Sequence, residues 1–342
     1  MTAAIQKDGQ RFRVLVADAE YATTKSDVTA KFADLEIVIA DGSRDLMEFA
    51  GPEIQGLIAQ EAVIDSALLA AQPDLAVVLK LGRSYHNIDV AAVRKRKLTF
   101  ASSPRKGPNC VAELALTLIL SLSKDLLNSH RAVEQGSYRL RGLRSQRTEQ
   151  WKMAFHWMRN QSVHEVRGKR LGIVGMGEIG CELALRAHAL GMENVYYKRS
   201  SLSPELEQRF SAEYRDLSAL LKESDYVVLA VPHTTETNCM IGAEQLALMK
   251  PDAYLVNICR GGVVDENALV EALAEGRIAG AGLDVFTFEP LPFDSPLCRM
   301  HNVILTPHIG GGSGSNRVLE LSEALAEMQS ILLGGAPKVR ID

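Results

Sequence analysis

The sequence lacks paired cysteines, an excess of one charge and any apolar run of membrane length. Its five cysteines, Cys110, Cys181, Cys239, Cys259 and Cys298, stand at least 20 residues apart with no C-x-x-C spacing. That argues against a disulfide framework and a zinc site, so no metal is expected. The 38 Lys and Arg against 42 Asp and Glu leave a formal net charge of −4, which argues against nucleic-acid binding by the molecule as a whole. The longest greasy stretch, Val111 to Leu122, is interrupted by Glu113 and too short to span a bilayer, and the N-terminal MTAAIQKDGQRFR has no signal-peptide core. A soluble cytoplasmic protein without a membrane partner is expected. Internal repeats and low-complexity tracts are missing too, which removes solenoids and disordered tails.

What is present is alternation. Short β-rich runs at 13–17, 35–40, 75–79, 98–101, 171–174, 195–197, 226–231, 253–258, 280–285 and 303–305 are separated by segments of helical period. This predicts an α/β fold with doubly wound parallel sheets and helices on both faces. A long helix is expected from near Asn109 past Ser121, with Val111, Leu114, Ala115, Leu118 and Leu122 at helical spacing. The turn-rich SSPRKGP at 102–108 and GGGSG at 310–314 read as two crossings between domains. The first domain is then discontinuous, residues 1–105 plus 314–342 with a C-terminal helix from Asn316 to Leu333, and the second takes 106–313. A cleft between them is the expected substrate site.

The run Leu171 to Val174 leads directly into Gly175-Met176-Gly177-Glu178-Ile179-Gly180, followed by Leu183, Ala184, Ala187 and Leu190 at helical spacing. The three glycines suit a tight turn, close approach of a pyrophosphate, and packing of helix on strand. The helix N-terminus adds partial positive charge toward the phosphates. The next strand ends in Tyr197-Lys198-Arg199-Ser200, with no carboxylate for a bare ribose diol but two cations and a hydroxyl for a 2′-phosphate. NADP(H) is therefore the expected cofactor, with NAD(H) as the second choice.

Three polar groups fall beyond the carboxyl ends of later strands, where open parallel sheets bind ligands: Arg260, Glu289 and His308. Arginine can hold a carboxylate bidentately. Histidine can carry a proton to and from an alkoxide, and a neighbouring glutamate can orient the imidazole and favour its charged form. Together the three suit hydride chemistry on an oxo acid.

The segments NICRGGVVDENAL (257–269), GLDVFTFEP (282–290) and TPHIGG (306–311), with GMGEIG and MKPDAYLVN upstream, closely resemble the signatures of D-isomer-specific 2-hydroxyacid dehydrogenases. The resemblance covers nearly the whole chain. It implies a Rossmann dinucleotide-binding domain and a flavodoxin-like substrate domain. It also implies that Arg260 anchors the substrate carboxylate, that His308 is the general acid/base and that Glu289 pairs with it. Asp284 would bind the nicotinamide amide. Glu178, Ile179, Val231, Pro232, Thr237, Ile258, Cys259 and Gly310 would complete the cofactor site. The Tyr-x-Arg-Ser loop is similar to that of NADPH-preferring members, which makes glyoxylate or hydroxypyruvate reduction the first substrate expectation. A homodimer is implied as well.

The chain departs from the family pattern in two places. The stretch 81–89, LGRSYHNID, corresponds to the glycine-rich substrate loop, with Arg83, Ser84 and Asn87 as substrate-binding candidates, but Ser84 replaces a glycine and His86 an acid. That puts the usual small-substrate pocket in doubt. Residues 136–168 are longer than the family needs and contain Trp151 and Trp157. Around them, residues 131–170 carry ten basic side chains against three acidic, a local net charge of +7. An arm over a partner's cleft and an insert packed on its own subunit both remain open. His156 and His164 are expected to be solvent-exposed, and Arg94 to Lys97 to form a solubilising face.

A 34-residue tail after His308 is short for the regulatory domain of a phosphoglycerate dehydrogenase. Formate dehydrogenase relatives usually pair their histidine with Gln, whereas Glu289 stands here. The competing expectation from another class is a dinucleotide-sensing binding protein of the co-repressor type on the same fold.

Overall fold

A computed structural model describes residues 11–32, 34–82, 85–145, 147, 158, 160–312 and 314–341. The substrate-loop candidates Arg83 and Ser84, both tryptophans and His156 lie outside the described residues. The chain divides into two units, one of residues 1–107 and 313–342, the other of residues 108–312.

The first unit contains β1 (Phe12–Val16), α1 (Lys25–Thr29), β2 (Leu35–Ile39), β3 (Ile54–Ala59), α2 (Ser66–Ala70), β4 (Val77–Leu81), α3 (Val90–Lys95) and β5 (Thr99–Ser103). The second contains α4 (Gly107–Ser123), α5 (Leu126–Glu134), β6 (Arg170–Val174), α6 (Glu178–Ala189), β7 (Glu193–Tyr197), α7 (Pro204–Phe210) and β8 (Ala212–Tyr214). It continues with α8 (Leu217–Glu223), β9 (Tyr226–Leu229), α9 (Ala243–Leu248), β10 (Tyr254–Asn257), α10 (Glu266–Ala274), β11 (Gly280–Leu283) and β12 (Val303–Leu305). Helix α11 (Gly314–Leu332) returns to the first unit.

Both sheets are wholly parallel. The first has the order β2-β1-β3-β4-β5, reversing direction of progress between β1 and β3, which is flavodoxin-like. The second, β12-β11-β10-β9-β6-β7-β8, reverses between β6 and β9 and is a Rossmann sheet. Strands such as β4 and β9 are covered by helices on both sides, and every residue in each of them is buried. Aspartates start several of those helices: Asp65, Asp89, Asp216 and Asp265 accept backbone N–H groups of the first turns of α2, α3, α8 and α10. Such caps contribute about 1 kcal/mol each.

Two strands are absent from the sequence expectation. β3 carries Gly56, whose place a Cβ could not share, since Met328 Sδ would sit 2.6 Å from it. Its glycine hides a β-strand that a helix from the far end of the chain covers. β8 is a three-residue edge with two exposed residues, so it has almost no hydrophobic signal. β4 begins two residues later than expected, which takes Lys80 into the strand and buries it to 2% exposure.

Two exposure expectations are corrected. His164 is half-buried, its Nε2 is 2.6 Å from the Tyr226 hydroxyl, and its ring stacks on Tyr226 and Tyr254. In the basic run 94–97, Arg96 binds the carbonyls of Leu69, Gln72 (2.8 Å) and Pro73 (3.1 Å), tying down the C-terminal end of α2. Positive charge suits those orphan carbonyls better than solvent alone.

Candidate active site

The glycine turn follows β6. Gly175 has φ +106, a left-sided conformation that side chains avoid, and a Cβ there would meet the Ala230 carbonyl oxygen at 2.5 Å. Gly180, inside α6, packs directly against the Gly175 carbonyl. Gly177 is different: a Cβ on it meets nothing within 4 Å, so its absence opens space in front of the α6 N-terminus. That is the cradle a pyrophosphate requires, with Glu178 and Ile179 forming the first helical turn behind it. Lys198, Arg199 and Ser200 follow β7 and are exposed.

The loop after β9 contains Val231, Pro232 and Thr237. Thr237 Oγ1 donates to the Pro232 carbonyl at 2.7 Å and accepts from Thr234 N at 2.8 Å. After β10, Ile258 and Cys259 are buried at 5% and 6% exposure, leaving their backbone as the part able to face a ligand. The Cys259 thiol donates to Asn257 Oδ1 at 3.1 Å, and burial pushes it up to about 11. It is therefore a packed thiol rather than a nucleophile.

Arg260 is exposed and follows β10, its Nη1 donating to the Cys259 carbonyl at 2.6 Å. Gly261 comes next because a Cβ there would overlap the backbone of Phe286 and Thr287. This close approach ties the arginine loop to the loop carrying Glu289. His308 follows β12 with φ +53, an uncommon conformation for a side-chain-bearing residue. Its Nδ1 donates to Glu289 Oε2 at 2.6 Å, while Glu289 Oε1 accepts from Phe286 N at 3.1 Å.

Burial of Glu289 favours its neutral form, but the His308 hydrogen bond, the Phe286 N–H and the charges of His308 and Arg260 outweigh it. The carboxyl is held below its usual range. Arg260 thus lies near enough for its charge to act on Glu289, and three groups distant in sequence converge. Beside the Glu289–His308 pair is a cavity of about 580 Å³ lined by Phe286, Pro290, Leu291, Leu305 and Pro307.

Asp284, 1% exposed, has a role not visible in the sequence. Its carboxylate accepts from Thr306 Oγ1 (2.6 Å), Ile309 N (2.9 Å) and Gly310 N (2.9 Å), and its carbonyl accepts from His308 N (3.0 Å). It builds the loop that presents His308. A Cβ on Gly310 would come within 3.0 Å of that carboxylate. In the other unit, Asn87 is buried and its Nδ2 donates to the carbonyls of Ala62 (2.7 Å) and Gln60 (3.2 Å). The described residues contain no cluster able to hold a metal ion.

Residues 116–310 match the model for the D-isomer specific 2-hydroxyacid dehydrogenase NAD binding domain. The chain is 41% identical over 265 residues to the glyoxylate reductase of Thermococcus gammatolerans, covering 78% of this chain and 74% of the relative. It is 38% identical to glyoxylate/hydroxypyruvate reductase B of Escherichia fergusonii, covering 83% of each. The holo D-mandelate dehydrogenase of Rhodotorula graminis superposes with a TM-score of 0.67 at 28% identity, covering 97% of this chain and 98% of that one.

A dinucleotide cradle beside an imidazole–carboxylate pair and a guanidinium defines a nicotinamide-dependent oxidoreductase acting on 2-hydroxy or 2-oxo acids. The chain belongs to the D-isomer-specific 2-hydroxyacid dehydrogenase family. The sensor alternative is not favoured. No helix among the described residues is long and apolar enough to cross a membrane.

Proposed function

We propose that the enzyme reduces a small 2-oxo acid, glyoxylate or hydroxypyruvate, with NADPH as the preferred reductant. The observation that carries the chemistry is the 2.6 Å contact between His308 Nδ1 and Glu289 Oε2. With Nδ1 committed to the carboxylate, Nε2 is the nitrogen left to exchange a proton with the oxygen on C2. The nicotinamide, when bound, supplies or takes up the hydride at C2. Arg260 holds the substrate carboxylate and polarises the adjacent carbonyl, and Glu289 stabilises the charged imidazole before the proton leaves it. In oxidation His308 takes the proton back.

Gly175, Gly177 and Gly180 receive the pyrophosphate, and Lys198, Arg199 and Ser200 receive the 2′-phosphate. Asp284, besides building the His308 loop, retains acceptor capacity on Oδ2 for the nicotinamide amide. Asn87, with Arg83 and Ser84, belongs to the substrate loop, and residues 1–105 with 314–342 form the substrate domain. Relatives bearing reductase names support the substrate choice. Initial rates with a panel of 2-oxo acids, each with NADPH and NADH, test it. Fastest turnover is expected for glyoxylate or hydroxypyruvate with NADPH, and inactivity of both acids would refute the assignment.

The enzyme is further read as a cytoplasmic homodimer. Five free cysteines suit a reducing compartment. Leu126, Leu127 and Val133 on α5, with Leu140 and Leu143 just beyond it, expose apolar surface suited to a second copy. Light scattering at a mass twice that of the chain is the expected result.

A further inference from the structure

The first unit buries an ammonium group where an apolar side chain would pack at less cost. Successive side chains of β4 alternate between the two faces of the sheet, so Lys80 shares a face with Val78, which belongs to one apolar cluster with Leu57, Ile64, Leu69 and Phe100. Lys80 is 2% exposed. A charge withdrawn from water is costly unless polar groups receive it, and an apolar residue of similar volume avoids that cost. The groups that receive Lys80 are main-chain carbonyls at the carboxyl ends of two neighbouring strands.

Lys80 Nζ donates to the carbonyl of Gln60, just past β3, and to that of Leu81, the last residue of β4, at 3.0 Å. The Gln60 carbonyl also accepts from Asn87 Nδ2 at 3.2 Å, and the same amide donates to the Ala62 carbonyl at 2.7 Å. One carbonyl is therefore the shared anchor of a residue before the loop and a residue near its far end. The peptide group joining Gln60 to Glu61 is gripped at both poles. Asp18, 8% exposed, accepts from the N–H of Glu61 (2.6 Å), and also from those of Gln60 and Ala62 (2.8 Å), while Lys80 and Asn87 hold the carbonyl side. An anion at the N–H pole and a cation at the carbonyl pole polarise that peptide in the same sense, which strengthens the bonds at both. Backbone bonds continue the attachment: Ile64 N donates to Asn87 O at 2.8 Å, Asp89 N to Ile64 O at 2.9 Å, and Gly82 N to Ser103 O at 2.8 Å.

We propose that Lys80 is a positioning residue for the reaction: through the Gln60 and Leu81 carbonyls its ammonium sets where the two ends of the loop stand, and so governs affinity for the oxo acid. The inference rests on the reading above of residues 81–89 as the substrate loop. Lys80 acts through that loop and not on the reacting atoms. The glycine cradle and the His308–Glu289 pair belong to the other unit, so a misplaced loop should weaken substrate binding while sparing cofactor binding and most of the chemical step.

The test compares wild type, Lys80→Met, Lys80→Gln and Asn87→Ala in steady-state kinetics with the 2-oxo acid that wild type reduces fastest, in NADPH binding by fluorescence titration, and in thermal melting. Lys80→Met is expected to raise KM for the oxo acid about fivefold to twentyfold, the loss of one charged hydrogen bond. Its kcat should stay within about threefold and its NADPH affinity within about twofold of wild type. Lys80→Gln keeps a donor without the charge and should fall between the two; it carries the comparison if Lys80→Met does not fold. Asn87→Ala removes the other donor to the same carbonyl and should raise KM as well, and the double variant should raise it by less than the product of the two, since the two residues share a partner. A wild-type KM in a folded Lys80 variant overturns the inference. So does a lowered melting temperature with equal losses of NADPH affinity and kcat, which is what general loosening would produce. If Asn87→Ala also leaves KM unchanged, the substrate-loop reading itself falls. If Asn87→Ala raises KM while the Lys80 variants do not, only the role of Lys80 falls.

Discussion

Glu289→Gln isolates one interaction in the proton-transfer machinery proposed above. The amide oxygen can still accept from Phe286 N, and the side chain still fills its place beside His308, so the substitution removes a charge and little else. With Nδ1 and Oε2 2.6 Å apart, the two charges centre about 4 Å from one another, worth ~1 kcal/mol in water and ~4 kcal/mol at an effective dielectric of 20. The side chains are 44% and 35% exposed, which places the interaction toward the watery limit, about 1–2 kcal/mol. Removing that support for the charged imidazole should slow reduction about fivefold to thirtyfold at neutral pH. Reductive kcat measured at neutral pH gives the answer, and the absence of any deficit would refute the assigned pairing.

Other substitutions probe neighbouring parts. His308→Asn should leave NADPH affinity near wild type by fluorescence titration and lower kcat by about 10² to 10⁴. Gly261→Ala forces a methyl into the Phe286 and Thr287 backbone, and should cost about 3 kcal/mol in denaturant unfolding together with most of the activity, since both site loops must move. Asp225 tests pH linkage. Burial opposes its ionisation, but Arg170 N (2.7 Å) and Lys250 Nζ (2.9 Å) hold its carboxyl below the usual range. Its stabilisation is therefore complete above the ordinary aspartate range and lost as pH falls through the lowered folded value. Lys250→Met should cost about 1 kcal/mol at pH 7, discounted for a lysine 34% exposed, and the gap to wild type should close as pH falls below the ordinary aspartate range.

The parallel two-unit architecture was legible because buried strands read as apolar runs and the dinucleotide turn follows one of them directly. Arg260, Glu289 and His308 were legible for a similar reason: each follows a strand, and a parallel sheet delivers strand ends to one edge. Less visible were features that depend on partners far along the chain. β3 looks too broken by Gly56 until Met328 is laid over it. The acceptors that occupy Arg96 lie in the residues ending α2, so a run of four cations reads as surface. Asp284 reads as a ligand group, and only the fold shows that its carboxylate is already shaping the His308 loop.

The packing of α11 has a consequence for biosynthesis. Leu321, Ala324, Leu325, Met328 and Leu332 form part of the same buried cluster as Val14, Val16, Ile37 and Leu79. An emerging chain therefore holds its first sheet unfinished, with an uncovered apolar face, throughout synthesis of the Rossmann unit. That unit has every strand it needs before α11 appears and can fold while still tethered to the ribosome. The first-made segment is thus among the last to become protease-resistant, and a nascent chain stalled before residue 314 is the species most in need of a chaperone.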